Sequence, residues 1–89
     1  MIQKEIMIIN KLGLHARAAA KLVGVTNGFA SQIRTGSANS LVDAKSVMAL
    51  MLLAASQGTV LTFEFDGGDE EQACEAVSQL IANRFDEIE

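Results

Sequence analysis

His15 is the one histidine of the chain, and it stands where Lys11-Leu12-Gly13-Leu14 gives way to a run rich in alanine. A free imidazole has a pKa of about 6.5, so at neutral pH a large neutral fraction offers a nucleophilic ring nitrogen. The position reads as the N-cap region of a helix. Unpaired backbone N–H groups and a partial positive charge collect there, which suits a neutral ring and then an anion, such as a phosphoryl group, attached to it. Arg17, two residues on, can add a guanidinium fork to phosphoryl oxygens, and Gly13 permits a tight backbone approach. By pattern alone the plainer reading comes first: a substitute cap, a solvated charge and a turn residue.

Ser46 precedes an apolar helical run and is a good N-cap, worth about 1 kcal/mol. A phosphate there would add about −1.5 to −2 charges at a helix start, which the helix tolerates and an acidic partner does not. The run itself carries Val47, Met48, Leu50, Met51, Leu52 and Leu53, too many for one buried stripe, so some must face outward. Met48 and Met51 divide evenly between core filler and an adaptable docking patch. With one histidine and one cysteine, a zinc site lacks its usual ligands, and no glycine-rich phosphate loop is present. Neither metal nor cofactor is expected. No elbow motif supports a Ser-His-Asp triad.

The 89 residues hold 7 basic and 11 acidic side chains, a net charge of −4, the wrong sign for nucleic-acid binding by phosphate neutralisation. The longest unbroken apolar run, Val47 to Ala55, is about half of the roughly 20 residues that span a bilayer, so a soluble protein is expected. Gln3, Lys4 and Glu5 leave no apolar core for a signal peptide. Cys74 excludes an internal disulfide, reads as a packed thiol, and fits a reducing, cytoplasmic setting. Residues 1–89 are expected to form one domain.

The elements that must position these groups follow from periodicity. Residues 2–9 read as a strand, with Ile6 and Ile8 on one face and Met7 and Ile9 on the other. Residues 16–26 read as a helix with Ala16, Ala19, Ala20 and Val23 on one stripe, stopped by Asn27-Gly28. Residues 30–35 and 41–43 read as short strands flanking the turn-rich residues 36–40. A second helix runs from Val47 to about Ser56, with Gly58 as its left-handed end. Residues 59–65 make a half-buried strand with Leu61, Phe63 and Phe65 inward. Asp69 caps a last helix with Gln72 in the capping-box position, and its inner stripe is Ala73, Val77, Leu80 and Ile81. The order β-α-β-β-α-β-α lets the fourth strand slip between the first and second. The expected fold is an α+β open-faced sandwich, an antiparallel sheet with helices on one face.

Asn10-Lys11-Leu12-Gly13-Leu14-His15-Ala16-Arg17 resembles the active-site segment of the histidine-containing phosphocarriers of the phosphoenolpyruvate-dependent phosphotransferase system, the HPr family. Val42-Asp43-Ala44-Lys45-Ser46-Val47-Met48 resembles that family's regulatory serine segment. The resemblance covers nearly the whole chain. It implies a four-stranded antiparallel sheet in the order 1-4-2-3 under three helices, with His15 phosphorylated on Nδ1 by enzyme I and the group passed to an EIIA-type domain. It makes Arg17 the phosphoryl-stabilising residue, with Gly13, Ala16 and Arg17 holding the travelling group. It further implies that Ser46 is a target of an HPr kinase/phosphorylase and that Ala20, Val47, Met48 and Met51 belong to a shared docking surface.

Ala18 stands where the common family pattern has proline, so the first helical turn loses a preset backbone angle, although alanine is itself an excellent helix former. Gly24, Asn27 and Ala49 occupy places where many relatives carry lysine, which weakens electrostatic steering towards an acidic partner. The expected activity is stoichiometric phosphoryl carriage by a cytoplasmic monomer, with neutral His15 as nucleophile and then as leaving group. The rival reading is a regulatory module that docks through its second helix, in a nitrogen-related or catabolite-control branch.

Overall fold

The computed structural model describes residues 1–88. Its elements are β1 (Ile2–Met7), α1 (Ala16–Thr26), β2 (Gln32–Ser37), β3 (Ser40–Asp43), α2 (Val47–Leu52), β4 (Val60–Asp66), α3 (Glu70–Ala82) and a terminal 3₁₀ turn, Arg84–Asp86. The sheet order is β1-β4-β2-β3 and every pairing is antiparallel. The 1-4-2-3 sandwich is therefore the fold, with β4 inserted between β1 and β2.

Alternation along β4 turns Leu61, Phe63 and Phe65 to the helices, and all three are buried. The Phe63 and Phe65 rings stack with centroids 6.1 Å apart. Around them pack Ile8, Leu22, Ile33, Leu50, Val77, Ile81 and Phe85, each worth about 1.5–3 kcal/mol when fully removed from water. The opposite sheet face exposes Gln3, Glu5, Met7 and Val60, and Arg34 bridges to Glu64 across neighbouring strands at 2.9 Å. No helix among the described residues is long and apolar enough to cross a membrane.

Several local readings shift. β1 ends at Met7, but Ile8 keeps the ladder's direction by donating to Thr59 O at 2.8 Å and accepting from Gly58 N–H at 2.7 Å. β2 starts two residues later than expected and reaches Ser37, leaving only Ala38-Asn39 as the hairpin turn. The bounds of α1 are those expected, but its buried side is Ala18, Ala19, Leu22 and Thr26, while Ala16 and Ala20 are exposed.

The second helix stops a full turn early, at Leu52. Ala54 takes a left-handed φ of 51°, which turns the chain so that Ala55 O accepts the Leu14 N–H at 2.8 Å. Gly58 is left-handed as well, with φ 91°, but it serves the turn into β4 rather than the helix end. Asp69 sits at the N-cap of α3 without a side-chain capping bond. Its carboxylate instead accepts from Ala30 N–H and Ser31 N–H, both at 2.9 Å, and from the Ser31 hydroxyl. Gln72 is exposed, and Glu70 reaches back to Gly67 N–H at 3.1 Å.

Candidate functional site

The approach to His15 is set by Gly13. Its φ of 69° is a left-handed value that favours glycine, and a Cβ there would lie 2.5 Å from Ala55 O. The close approach expected of Gly13 is thus made to the Ala55–Ser56 backbone, and the next residue, Leu14, is buried. That anchorage delivers His15 to the N-cap of α1 with extended backbone angles, φ −77° and ψ −180°. Its carbonyl accepts the first helical bond, from Ala19 N–H at 2.8 Å. The N–H groups of Ala16, Arg17 and Ala18 precede that bond, as in any first helical turn. Ala18 is fully buried in this turn, and α1 begins at Ala16, where the sequence places its start.

The ring nitrogens have different partners. Nδ1 accepts a long hydrogen bond from Arg17 N–H, 3.3 Å. Nε2 meets the Glu87 carboxylate. An ionised carboxylate can only accept, so Nε2 carries the proton, and Nδ1, itself an acceptor, carries the lone pair. Both contacts therefore select one tautomer.

Glu87 is in turn held by Asn10, whose side-chain NH₂ donates to Glu87 Oε1 at 2.9 Å and to Gly13 O at 2.8 Å. Two acceptors on one nitrogen fix the orientation of the amide, and the buried Oδ1 has no hydrogen-bond partner among the described residues. Burial pushes the Glu87 carboxyl pKa up, but the hydrogen bonds from the Asn10 amide and the His15 ring, with the Arg17 charge nearby, outweigh it and hold the pKa below its ordinary value.

The segment bearing Glu87 is unusual backbone. Arg84, Phe85 and Asp86 all have left-handed φ, between 53° and 62°. Burial of the Phe85 ring and a 3.0 Å hydrogen bond from Lys21 Nζ to Phe85 O fasten this segment to the core and to α1. Arg17, Lys21 and Glu87 share the wall of an open concavity of about 500 Å³, which the His15 ring itself does not line.

His15, Ala16 and Arg17 are consecutive at the start of α1, and Gly13 is separated from them by the buried Leu14. Ser46 caps α2, its hydroxyl accepting Ala49 N–H at 3.2 Å, the structural role read for it. Among the docking candidates, Ala20 and Met51 are exposed, Met48 is 75% exposed and Val47 is half-buried, so the two methionines are not core filler. Leu52, at 82% exposure, and Leu12 are further exposed apolar side chains outside those docking candidates. Asn10, Lys21 and Glu87 were not read as site residues. Asn10 lies in the motif itself, whereas Glu87 is 72 positions from His15 and carried no local signal.

A family model described as the PTS HPr component phosphorylation site matches residues 2–83. The phosphocarrier protein HPr of Cupriavidus necator is 52% identical over 89 residues, the whole of both chains. That of Pseudomonas aeruginosa is 56% identical over 86 residues, 96% of each chain. A crystal structure of HPr from Thermoanaerobacter tengcongensis superposes with a TM-score of 0.93 at 45% identity, covering 98% of each chain. Motif, fold and full-length likeness converge: the chain belongs to the HPr family, the phosphocarriers of the phosphotransferase system, whose partners are proteins of that system.

Proposed function

We propose that residues 1–89 act as one HPr domain, a cytoplasmic monomer in which His15 Nδ1 takes a phosphoryl group from phosphorylated enzyme I and yields it to an EIIA-type domain. The observation that carries this reading is the pair of ring contacts: Glu87 meets Nε2 and the Arg17 N–H donates to Nδ1, which leaves the lone pair on Nδ1 beside the start of α1. When phosphorus bonds to Nδ1, the N–H groups of Ala16 and Arg17 are placed to donate to phosphoryl oxygens, and Arg17 can add its guanidinium. Gly13 contributes by keeping the loop against Ala55. No bound cofactor is needed, because donor and acceptor groups come from the partner proteins.

Ala20, Val47, Met48 and Met51 form the docking surface, and phosphorylation of Ser46 by an HPr kinase/phosphorylase regulates it. Ser46 begins α2 one residue before Val47, so a dianion there stands at the edge of that apolar surface. Incubation with phosphoenolpyruvate and enzyme I tests the first step. Intact mass should rise by one phosphoryl group, acid should remove it, and His15→Ala should show no gain. An acid-stable adduct, or labelling of the His15→Ala variant, would defeat the assignment. If His15→Ala kept full regulatory activity towards a partner, the exposed surface of α2 would instead define the protein as a docking module.

A further inference from the structure

We propose that Glu87 is a positioning residue for phosphoryl transfer, deciding which nitrogen of His15 becomes phosphorylated. The inference rests on the carrier reading and extends it. The Glu87 carboxylate occupies the Nε2 edge of the ring, where it both accepts the Nε2 proton and presents negative charge to any incoming phosphoryl anion. The Nδ1 edge faces the start of α1 and the Arg17 N–H. Attack at Nε2 is thus blocked by occupancy and by like charge, while attack at Nδ1 meets N–H donors.

The surroundings are built for that role. Asn10 spends both amide hydrogens on Glu87 Oε1 and Gly13 O, at 2.9 and 2.8 Å. Phe85 and Lys21 hold the backbone on the N-terminal side of Glu87, so the carboxylate is presented by an anchored segment.

The chemical step balances without loss of a proton from the ring. The Nδ1 lone pair forms the N–P bond while the bond from phosphorus to the donor breaks and its electron pair remains with the donor. Nε2 keeps its hydrogen, and the positive charge now on the ring lies against the Glu87 carboxylate. In the second transfer the N–P electron pair returns to Nδ1, and the ring departs from phosphorus as neutral imidazole with Nε2–H still in place.

Phosphoramidate, which transfers a phosphoryl group and releases ammonia, tests this without any partner protein. Wild-type protein should give the Nδ1 isomer of phosphohistidine with only a minor Nε2 fraction, the two distinguished by phosphorus and nitrogen NMR. Glu87→Ala should raise the Nε2 isomer roughly tenfold or more, the scale of one charge-assisted hydrogen bond. Glu75→Ala, which removes an equal charge from an exposed position on α3, should leave the ratio unchanged. As a second readout, needing no donor, the unmodified wild type should show a slowly exchanging Nε2–H signal that Glu87→Ala loses. An unchanged isomer ratio, an unchanged Nε2–H signal in Glu87→Ala, or an equal effect of Glu75→Ala would overturn the role of Glu87. Failure of enzyme I to label His15 would instead overturn the carrier reading, leaving the isomer ratio as an independent result.

Discussion

Replacing Gly13 by alanine should destabilise the protein by about 3–5 kcal/mol, and the coordinates supply the parts of that sum. A non-glycine residue at φ 69° costs about 1 kcal/mol. The new Cβ would lie 2.5 Å from Ala55 O and 2.9 Å from Ser56 Cα, both main-chain atoms that cannot rotate aside. The two segments must part, an overpacking cost of about 1–3 kcal/mol. Parting them also strains the 2.8 Å bond from Leu14 N–H to Ala55 O, worth about 1 kcal/mol. In a domain of this size each kcal/mol moves the thermal midpoint by roughly 4–8 °C, so circular dichroism melting should show a fall of at least about 10 °C. Gly24→Ala is the control of opposite sign. It adds the same methyl inside α1 where nothing lies within 4 Å, and should stabilise by about 1 kcal/mol. A Gly13→Ala midpoint within about 3 °C of wild type would refute the steric reasoning, given the scale of a single kcal/mol.

Phe85→Ala should cost about 3–5 kcal/mol in urea unfolding, the usual loss for a fully buried ring, and should release Glu87 from His15, seen as faster exchange of the Nε2 proton. Ser46→Ala removes the acceptor of the Ala49 N–H and should cost about 1 kcal/mol while leaving enzyme I-dependent labelling of His15 at its wild-type rate. The Ser31 hydroxyl, followed by the Ala30 N–H, holds the Asp69 carboxyl pKa below its ordinary 3.8. A folded pKa below the unfolded one means that the stabilisation is fully present above 3.8 and fades as pH falls through the lower folded value. The stability gap between wild type and Asp69→Asn should therefore be largest near neutral pH and close in strong acid, as read by denaturant titrations across that range.

Much of this was legible because it is local. The strand from Val60 announces itself by alternating Leu61, Phe63 and Phe65, and Asn27 after the alanine-rich run marks the end of α1. Local pattern failed wherever a distant partner intervened. Four alanines at positions 16, 18, 19 and 20 flatten the apolar periodicity of α1, so its buried side could not be told from its exposed one. α2 ends early because Ala55 O is needed by Leu14, and Asp69 leaves its capping duty for the backbone of Ala30 and Ser31. The segment Asn83-Arg84-Phe85-Asp86-Glu87 has one apolar residue and no period to read. Its role depends on bonds spanning 64 to 77 positions, from Phe85 O to Lys21 and from Glu87 to His15 and Asn10. His15, Arg17 and Gly13 are marked as candidates by their neighbours in sequence, and Glu87 only by its neighbours in space.

Carriage of the group is tested most directly by a chase. Protein phosphorylated on His15 and freed of enzyme I is mixed with an EIIA-type domain, and the masses of both are followed together. One phosphoryl group should leave the carrier for every one gained by the acceptor, with no inorganic phosphate released. Retention of the group, or its appearance only as inorganic phosphate, would contradict a carrier mechanism.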